Sequence, residues 1–117
     1  MESLAVYRKT ARERAQRTAQ ARRQRHEKAW EVARAAAALL KSRYHATRIV
    51  AFGSVTQADR FHLWSDVDLA VWGLTPADYF EAVARVLEIG GEVKVDLIMA
   101  EKCKPSLREA IENGTEV

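Results

Sequence analysis

Three aspartates and a Gly-Ser pair are the residues of this 117-residue chain whose types and spacing could do chemistry. Asp66 and Asp68 are separated by one residue, so in a strand both side chains project from the same side of the pleat, about 7 Å apart. Asp96 lies in a second apolar run, opposite in parity to its apolar neighbours, and it too is predicted to project from the non-core side. The pattern therefore predicts three carboxylates on one face of a sheet.

These carboxylates would repel one another on a shared face. Like charges held close together raise one another's pKa and destabilise a fold unless a cation compensates for them. All-oxygen ligands suit Mg²⁺, which binds through one or two carboxylates together with substrate phosphates and keeps its remaining waters. The carboxylates therefore predict a magnesium site and a substrate that carries phosphate, although an Asp-x-Asp alone is also typical of a solvent-exposed strand edge.

Gly53 and Ser54 directly follow a short apolar run. A glycine there lets backbone N–H groups approach an anion, and the serine hydroxyl adds a donor. If Ser54 opens a helical turn, the unsatisfied amides of that turn would favour a phosphate, and the serine could also act as an N-cap. The pair is a weak signal alone, but it becomes specific together with the three aspartates.

Short apolar runs define the strands that must position these residues. The pattern predicts strands at 49–52, 67–72 and 93–99, with a polar loop between the first two. Thr75-Pro76 predicts a helix start, with threonine as N-cap and proline at the first helical position, and two glycines end that helix at 90–91. Its expected buried face is Phe80, Val83, Ala84 and Leu87. A last short helix is predicted around 106–112.

The first 45 residues contain neither Pro nor Gly and are dominated by good helix formers. Apolar or small residues recur every three or four positions, which marks one helix face, but the polar pair Arg22 and His26 interrupts the stripe. The stripe is weak before residue 28 and strong from residue 30 onward. We expect a basic helical extension over 1–28 and one domain over 29–117; one long helix and two helices with a bend are both compatible with the pattern.

The element order predicts an α/β (α+β) fold, in which a small mixed sheet is flanked by helices and a long basic helix comes first. Residues 1–48 carry 13 Lys and Arg against 4 Asp and Glu, whereas residues 49–117 carry 6 against 12. The overall charge of +3 thus divides into +9 and −6. A solvated helix face, a protein or homodimer surface, and contact with RNA are all compatible with the extension.

No run of about 18 apolar residues is present, so no membrane contact is expected, and nothing near the N-terminus reads as a signal peptide. Cys103 is alone, which agrees with a reducing compartment. We therefore predict a cytoplasmic protein.

The three histidines are too scattered along the sequence for a zinc site, and Trp30 and Trp72 are expected to pack against other apolar side chains. His62 and Trp64 precede Asp66, and one interpretation has them contacting a base or co-substrate.

The chain resembles the minimal nucleotidyltransferases of the DNA polymerase β superfamily in three stretches: Phe52-Gly53-Ser54, Ser65-Asp66-Val67-Asp68-Leu69 and Val95-Asp96-Leu97-Ile98. The eleven residues 55–65 separate the Gly-Ser pair from the Asp-x-Asp, as in the family pattern. The resemblance covers about residues 30–114 and leaves 1–28 unmatched. One departure is that Thr56-Gln57 stand where many members have Ala-Arg, and the first cation comes at Arg60.

The resemblance implies a nucleotidyltransferase fold and transfer of a nucleoside monophosphate from a nucleoside triphosphate, ATP above all, to a hydroxyl, with two Mg²⁺ ions. By position it implies that Gly53 and Ser54 hold the triphosphate. It implies that Asp66 and Asp68 bridge both metals and that Asp96 binds the catalytic one.

The resemblance also implies a biological setting. Members of the family frequently act as the antitoxin of a HEPN-domain ribonuclease toxin, and some silence it by adenylylating a tyrosine. The expected function is therefore protein adenylylation within a toxin–antitoxin pair. A non-catalytic antitoxin that acts by binding, and a transferase that acts on a small molecule or on RNA, remain the alternatives.

Overall fold

A four-stranded mixed sheet organises the part of the chain that the computed structural model describes, residues 3–117. The helices and strands, in chain order, are α1 (Leu4–Tyr44), β1 (Arg48–Phe52), β2 (Val67–Trp72), α2 (Tyr79–Gly90), β3 (Val95–Met99), α3 (Pro105–Glu112) and β4 (Thr115–Glu116). The strand order is β3-β2-β1-β4, with β1 antiparallel to both neighbours and β2 parallel to β3. Because parallel strands need a crossover, α2 connects β2 to β3. The predicted α+β class and the three predicted strands are confirmed.

Helix α1 is one continuous element of 41 residues, which answers the question that the sequence left open. It begins at the N-cap Ser3, whose hydroxyl accepts a hydrogen bond from the N–H of Val6, and it ends at His45 in the left-handed conformation. The residues from Ala29 onward pack in the core, whereas all residues from 4 to 18 are exposed. We call this exposed segment, residues 4–18, the arm.

The two faces of the sheet are covered differently. Helices α1 and α2 cover the first face, where the large buried side chains include Leu40 of α1 and Leu69 of β2. Helix α3 covers part of the second face, where Ile111 packs with Val50 and Phe52 of β1. The candidate site lies on this second face, on the strands β2 and β3, next to the strand β1 that α3 contacts.

Helix α2 packs on a different face from the one predicted. Phe80 and Leu87 are 80% and 40% exposed and Ala84 is exposed, whereas Ala82 and Val86 are fully buried. The prediction that Phe80, Ala84 and Leu87 face the core is therefore wrong. The local reason is the close approach of α2 to its neighbours, where the interior is packed without room for a larger side chain at Gly90.

Gly90 lets α2 pack closely against valine side chains of β3 and α1. A Cβ on Gly90 would lie 3.3 Å from Cγ2 of Val95 and 3.7 Å from Cγ1 of Val32, so α2 lies tightly between β3 and α1. Val83, the fourth predicted core residue, is half-buried and packs at the edge of the core. The predicted helix start at Thr75-Pro76 is confirmed. The Thr75 hydroxyl accepts a hydrogen bond from the N–H of Asp78, at the start of a short turn of 3-10 helix that leads into α2.

Strand β4 was not predicted, because two residues are too few to show a period. It pairs with β1 and follows Gly114, where a Cβ would lie 2.5 Å from the carbonyl oxygen of Ala51. Strand β3 begins at Val95 and not at Val93, which is instead buried in the turn after α2. No helix among residues 3–117 has the length and apolar character needed to cross a membrane.

The contrast between the two ends of α1 gives a stability prediction. Leu40 is fully buried and Leu4 is 64% exposed. We expect Leu40→Ala to lower the free energy of unfolding by about 2 to 5 kcal/mol, because it leaves a cavity, and Leu4→Ala to change it by less than about 0.5 kcal/mol. Urea denaturation of both variants measures the difference. Equal losses would show that the arm is packed in solution.

Candidate functional site

Two aspartates meet on the second face of the sheet, on the neighbouring strands β2 and β3. Asp68 of β2 pairs in register with Asp96 of β3 on one side and with Phe52 of β1 on the other. Their backbones are about 4.8 Å apart, the spacing of neighbouring strands. Residues in register on neighbouring strands project from the same face, so the structure places both carboxylates there, as the parity predicted.

The backbone of Gly53 lies against the Asp68 carboxylate. A Cβ built on Gly53 would lie 2.6 Å from Oδ2 of Asp68, which is closer than real side chains approach. Gly53 also has a φ of +77°, a conformation that favours glycine. Both the lack of space for a Cβ and the positive φ therefore favour glycine where the chain passes Asp68.

The turn that begins at Gly53 is held by its own residues. Gly53–Thr56 forms one turn of 3-10 helix, in which Ser54 is half-buried and Val55 is fully buried. The Thr56 hydroxyl donates to the carbonyl oxygen of Gly53 at 2.7 Å. Sequence reasoning treated Thr56 only as a departure from the family pattern, although threonine commonly bonds a backbone carbonyl three residues earlier. Its hydroxyl stabilises the turn next to Asp68.

Asp66, the third predicted carboxylate, lies just before β2 and is exposed. It is near enough to act electrostatically on Asp68, which is half-buried. Burial, and then the charges of Asp96 and Asp66, raise the pKa of Asp68 from its ordinary value of 3.8 to about 6. The three carboxylates therefore form one electrostatic unit, in which Asp68 experiences the largest penalty.

The chemistry of the donors fits a hard cation. Asp66, Asp68 and Asp96 offer only oxygen ligands, the type that Mg²⁺ prefers, and a cation among them would relieve the repulsion that raises the Asp68 pKa. Across residues 3–117, no three His, Cys, Asp or Glu side chains are gathered around one point that could hold an ion. Three-fold ligation would therefore need the exposed Asp66 and Asp96 side chains to turn toward Asp68.

Helix α1 anchors the loop that joins the Gly-Ser turn to β2. Nε2 of His26 donates to the carbonyl oxygen of Val55 at 2.6 Å, and its ring lies 5.0 Å from that of the buried Phe61. Arg22 donates to the carbonyl oxygens of Phe61 and Asp59 at 3.3 and 3.1 Å. Sequence reasoning missed these roles, although the signal was present, because Arg22 and His26 are the polar pair that interrupts the apolar stripe.

An exposed aromatic side chain lies in the same loop. Trp64 is 78% exposed and its ring stacks on that of His62, with centroids 5.6 Å apart and planes 16° apart. The Ser65 hydroxyl accepts from the N–H of His62 at 2.9 Å and so stabilises the end of the loop. The loop thus presents a flat aromatic surface two residues before Asp66.

A separate cavity lies on the same face at the other end of the strands. It has a volume of about 320 Å³ and is lined by Arg48, Trp72, Cys103 and Arg108 among others. The guanidinium of Arg48 lies 4.6 Å from the centre of the Trp72 ring. Because Trp72 is four residues from Asp68 along β2, about 13 Å at the rise of a strand, the cavity is not part of the carboxylate site.

Comparison with protein-family models and with curated proteins found no match to this sequence.

The raised pKa of Asp68 gives a prediction for stability against pH. Because the folded chain binds the Asp68 proton more tightly than the unfolded chain, stability falls as the pH rises from about 4 to about 6, and the penalty persists above that range. We expect Asp68→Asn to be more stable than the parent chain at pH 7.5 in EDTA. After allowance for its exposure, the gain should be on the order of 1 kcal/mol.

Urea denaturation at pH 3.5 and pH 7.5 measures this gain, which should disappear at the lower pH. Glu88→Gln is the matched control, since Glu88 is an exposed carboxylate on α2 and its replacement should leave stability unchanged at both pH values. A loss of stability in Asp68→Asn at pH 7.5 would show that the charged Asp68 carboxylate stabilises the fold, which would contradict its repulsion by Asp96 and Asp66.

Proposed function

We propose that this chain is a magnesium-dependent nucleotidyltransferase with the fold of the minimal nucleotidyltransferases in the DNA polymerase β superfamily. The reaction is transfer of a nucleoside monophosphate, AMP from ATP in the first instance, to a hydroxyl group. The observation that carries the proposal is the position of Asp68, in register with Asp96 and against the Gly53 backbone. This arrangement joins in space the three stretches that carry the family resemblance.

The proposal assigns a role to each of these residues. Asp66, Asp68 and Asp96 would hold two Mg²⁺ ions, while the Gly53 backbone and the Ser54 hydroxyl would contact the triphosphate. Bound Mg²⁺ would neutralise phosphate charge and lower the pKa of the attacking hydroxyl. In the transfer, the acceptor oxygen bonds to the α-phosphorus, the bond to the β-phosphate oxygen breaks, pyrophosphate leaves and the hydroxyl proton passes to solvent.

The chain's own contribution is positioning. Asp68 and Asp96 lie on paired strands, so the separation of their backbones is set by the sheet and not by a loop. The glycine turn is stabilised by Thr56 and by the buried Val55, so the backbone next to Asp68 is in place before a substrate binds. Groups that are already oriented need no reorganisation during the reaction, which is the main way in which proteins accelerate phosphoryl transfer.

The biological setting is proposed from the family resemblance. It supports an antitoxin whose partner is a HEPN-type toxin, and the acceptor would then be a side-chain hydroxyl of that protein. A non-catalytic antitoxin with the same fold would neutralise its partner by contact alone. The three carboxylates favour the enzyme, because acids that repel one another cost stability unless a cation compensates for them.

The first test is transfer of label from ATP labelled at the α-phosphate, in the presence of Mg²⁺ and the partner toxin. We expect Asp68→Asn and Asp96→Asn each to reduce transfer by at least about a hundredfold, since each removes a charge on which the reaction depends. Glu88→Gln should retain full activity. Mass spectrometry of the toxin should show an added AMP.

Two results would contradict parts of the proposal. Absence of label transfer to any protein, RNA or small-molecule acceptor would contradict nucleotidyl transfer. Protection of cells by Asp68→Asn as strong as that by the parent chain would show that neutralisation occurs by binding and not by chemistry.

A further inference from the structure

The arm, residues 4–18, is cationic and makes no packing contact that buries a side chain. It carries Arg8, Lys9, Arg12, Arg14 and Arg17 against a single acid, Glu13, a net charge of +4. Among residues 3–117, Lys9 is the arm cation that forms an ion pair, with Glu13 at 4.0 Å. The arginine side chains of the arm are all exposed to solvent.

The arm extends past the edge of the sheet that holds the carboxylates. Helix α1 ends at Tyr44, close to the start of β1, and β1 then runs back to Phe52 and the Gly-Ser turn. Arg22 and His26 of α1 contact the loop that follows this turn. Residues 4–21, which precede Arg22 in α1, must therefore continue beyond the carboxylate edge, over a length of about 27 Å at 1.5 Å per residue.

The arm cations flank a stripe of small and polar residues. At about 100° per residue, the positions 7, 11, 15 and 18 continue the side of α1 that faces the core. The same geometry puts Arg8 and Arg12 on one flank of this stripe and Arg14 and Arg17 on the other. Arginines on both flanks of the helix can contact successive negative charges along a flexible polyanion.

Trp64 adds a second and independent feature. It is 78% exposed, it stacks on His62, and its loop is held to the root of the arm by Arg22. An exposed aromatic side chain on a loop that is bonded to the same helix as a cationic arm is a combination that suits single-stranded nucleic acid, whose bases stack on rings while its phosphates contact cations.

We propose that the arm and Trp64 bind a single-stranded polynucleotide. This binding surface lies outside the carboxylate site and does not depend on the proposed nucleotidyl transfer. The structure favours a polynucleotide over an acidic protein because Trp64 offers a stacking surface that carboxylates do not need. Duplex nucleic acid fits less well, since paired bases are not free to stack on a side chain.

The test is fluorescence anisotropy of the full chain with a labelled 12-nucleotide single strand, as RNA and as DNA, in EDTA and without nucleoside triphosphate. The arm variant combines Arg12→Gln, Arg14→Gln and Arg17→Gln, because glutamine removes charge and keeps helix propensity. Its plot of log association constant against log salt should have a slope less negative by about 2, at about 0.7 for each phosphate that the variant no longer neutralises. Circular dichroism verifies that the helix is intact.

Matched controls separate specific contact from general charge. A triple replacement of exposed cations outside the arm by glutamine, at Arg34, Lys102 and Lys104, changes the net charge equally and should leave the slope unchanged. Trp64→Ala should weaken binding of the single strand by about tenfold, from the loss of one stacked base. Phe80→Ala removes an equally exposed aromatic side chain and should have no effect.

Several results would overturn the proposal: no binding of either single strand, equal effects of the two triple variants, or poly-glutamate binding as tightly as RNA of similar charge. The last result would identify the arm as a surface for an acidic protein. Tighter binding of a duplex than of a single strand would also overturn it. Because binding is measured without Mg²⁺ or ATP, a chain that lacks transferase activity would still give a clear result.

Discussion

The cost of charging Asp68 is the constraint on which the rest of this structure depends. Burial, and then the charge of Asp96, which is in register with it on the neighbouring parallel strand, raise the pKa of Asp68 to about 6. Stability must then come from elsewhere, namely from the apolar face that α1 and α2 cover and from α3 on the second face. The sheet holds together a pair of acids that would separate in solution, which is typical of functional sites.

The surroundings of the pair follow from the same constraint. Gly53 has no Cβ, so the backbone can pass beside the Asp68 carboxylate. The turn it opens is stabilised by Thr56, and the loop beyond the turn is anchored by Arg22 and His26. Helix α1 thus has two functions along one length: its C-terminal half packs on the sheet, and its middle positions the loop that leads to Asp66.

Much of the fold could be predicted from the sequence, because buried strands carry a strong local signal. Short apolar runs located β1 to β3, and the parity of Asp68 and Asp96 within their runs placed both on one face. The buried side of α2 could not be predicted, since Ala82 and Gly90 carry little hydrophobic signal and are selected by close packing, whereas Phe80 is exposed. The roles of Arg22 and His26 depend on carbonyl groups more than 25 residues away along the chain, which no local pattern encodes.

The most direct test of the proposed cation site is a measurement of the Asp68 pKa by carboxyl ¹³C NMR, in EDTA and again with saturating Mg²⁺ and a non-hydrolysable ATP analogue. In EDTA we expect a pKa of about 6, with a lower value in the Asp96→Asn variant, because the neighbouring charge is removed. In the presence of metal and nucleotide the pKa should fall below that of an ordinary aspartate. A pKa near 4 in EDTA, unchanged by Mg²⁺ and nucleotide, would contradict the claim that these carboxylates form a cation site.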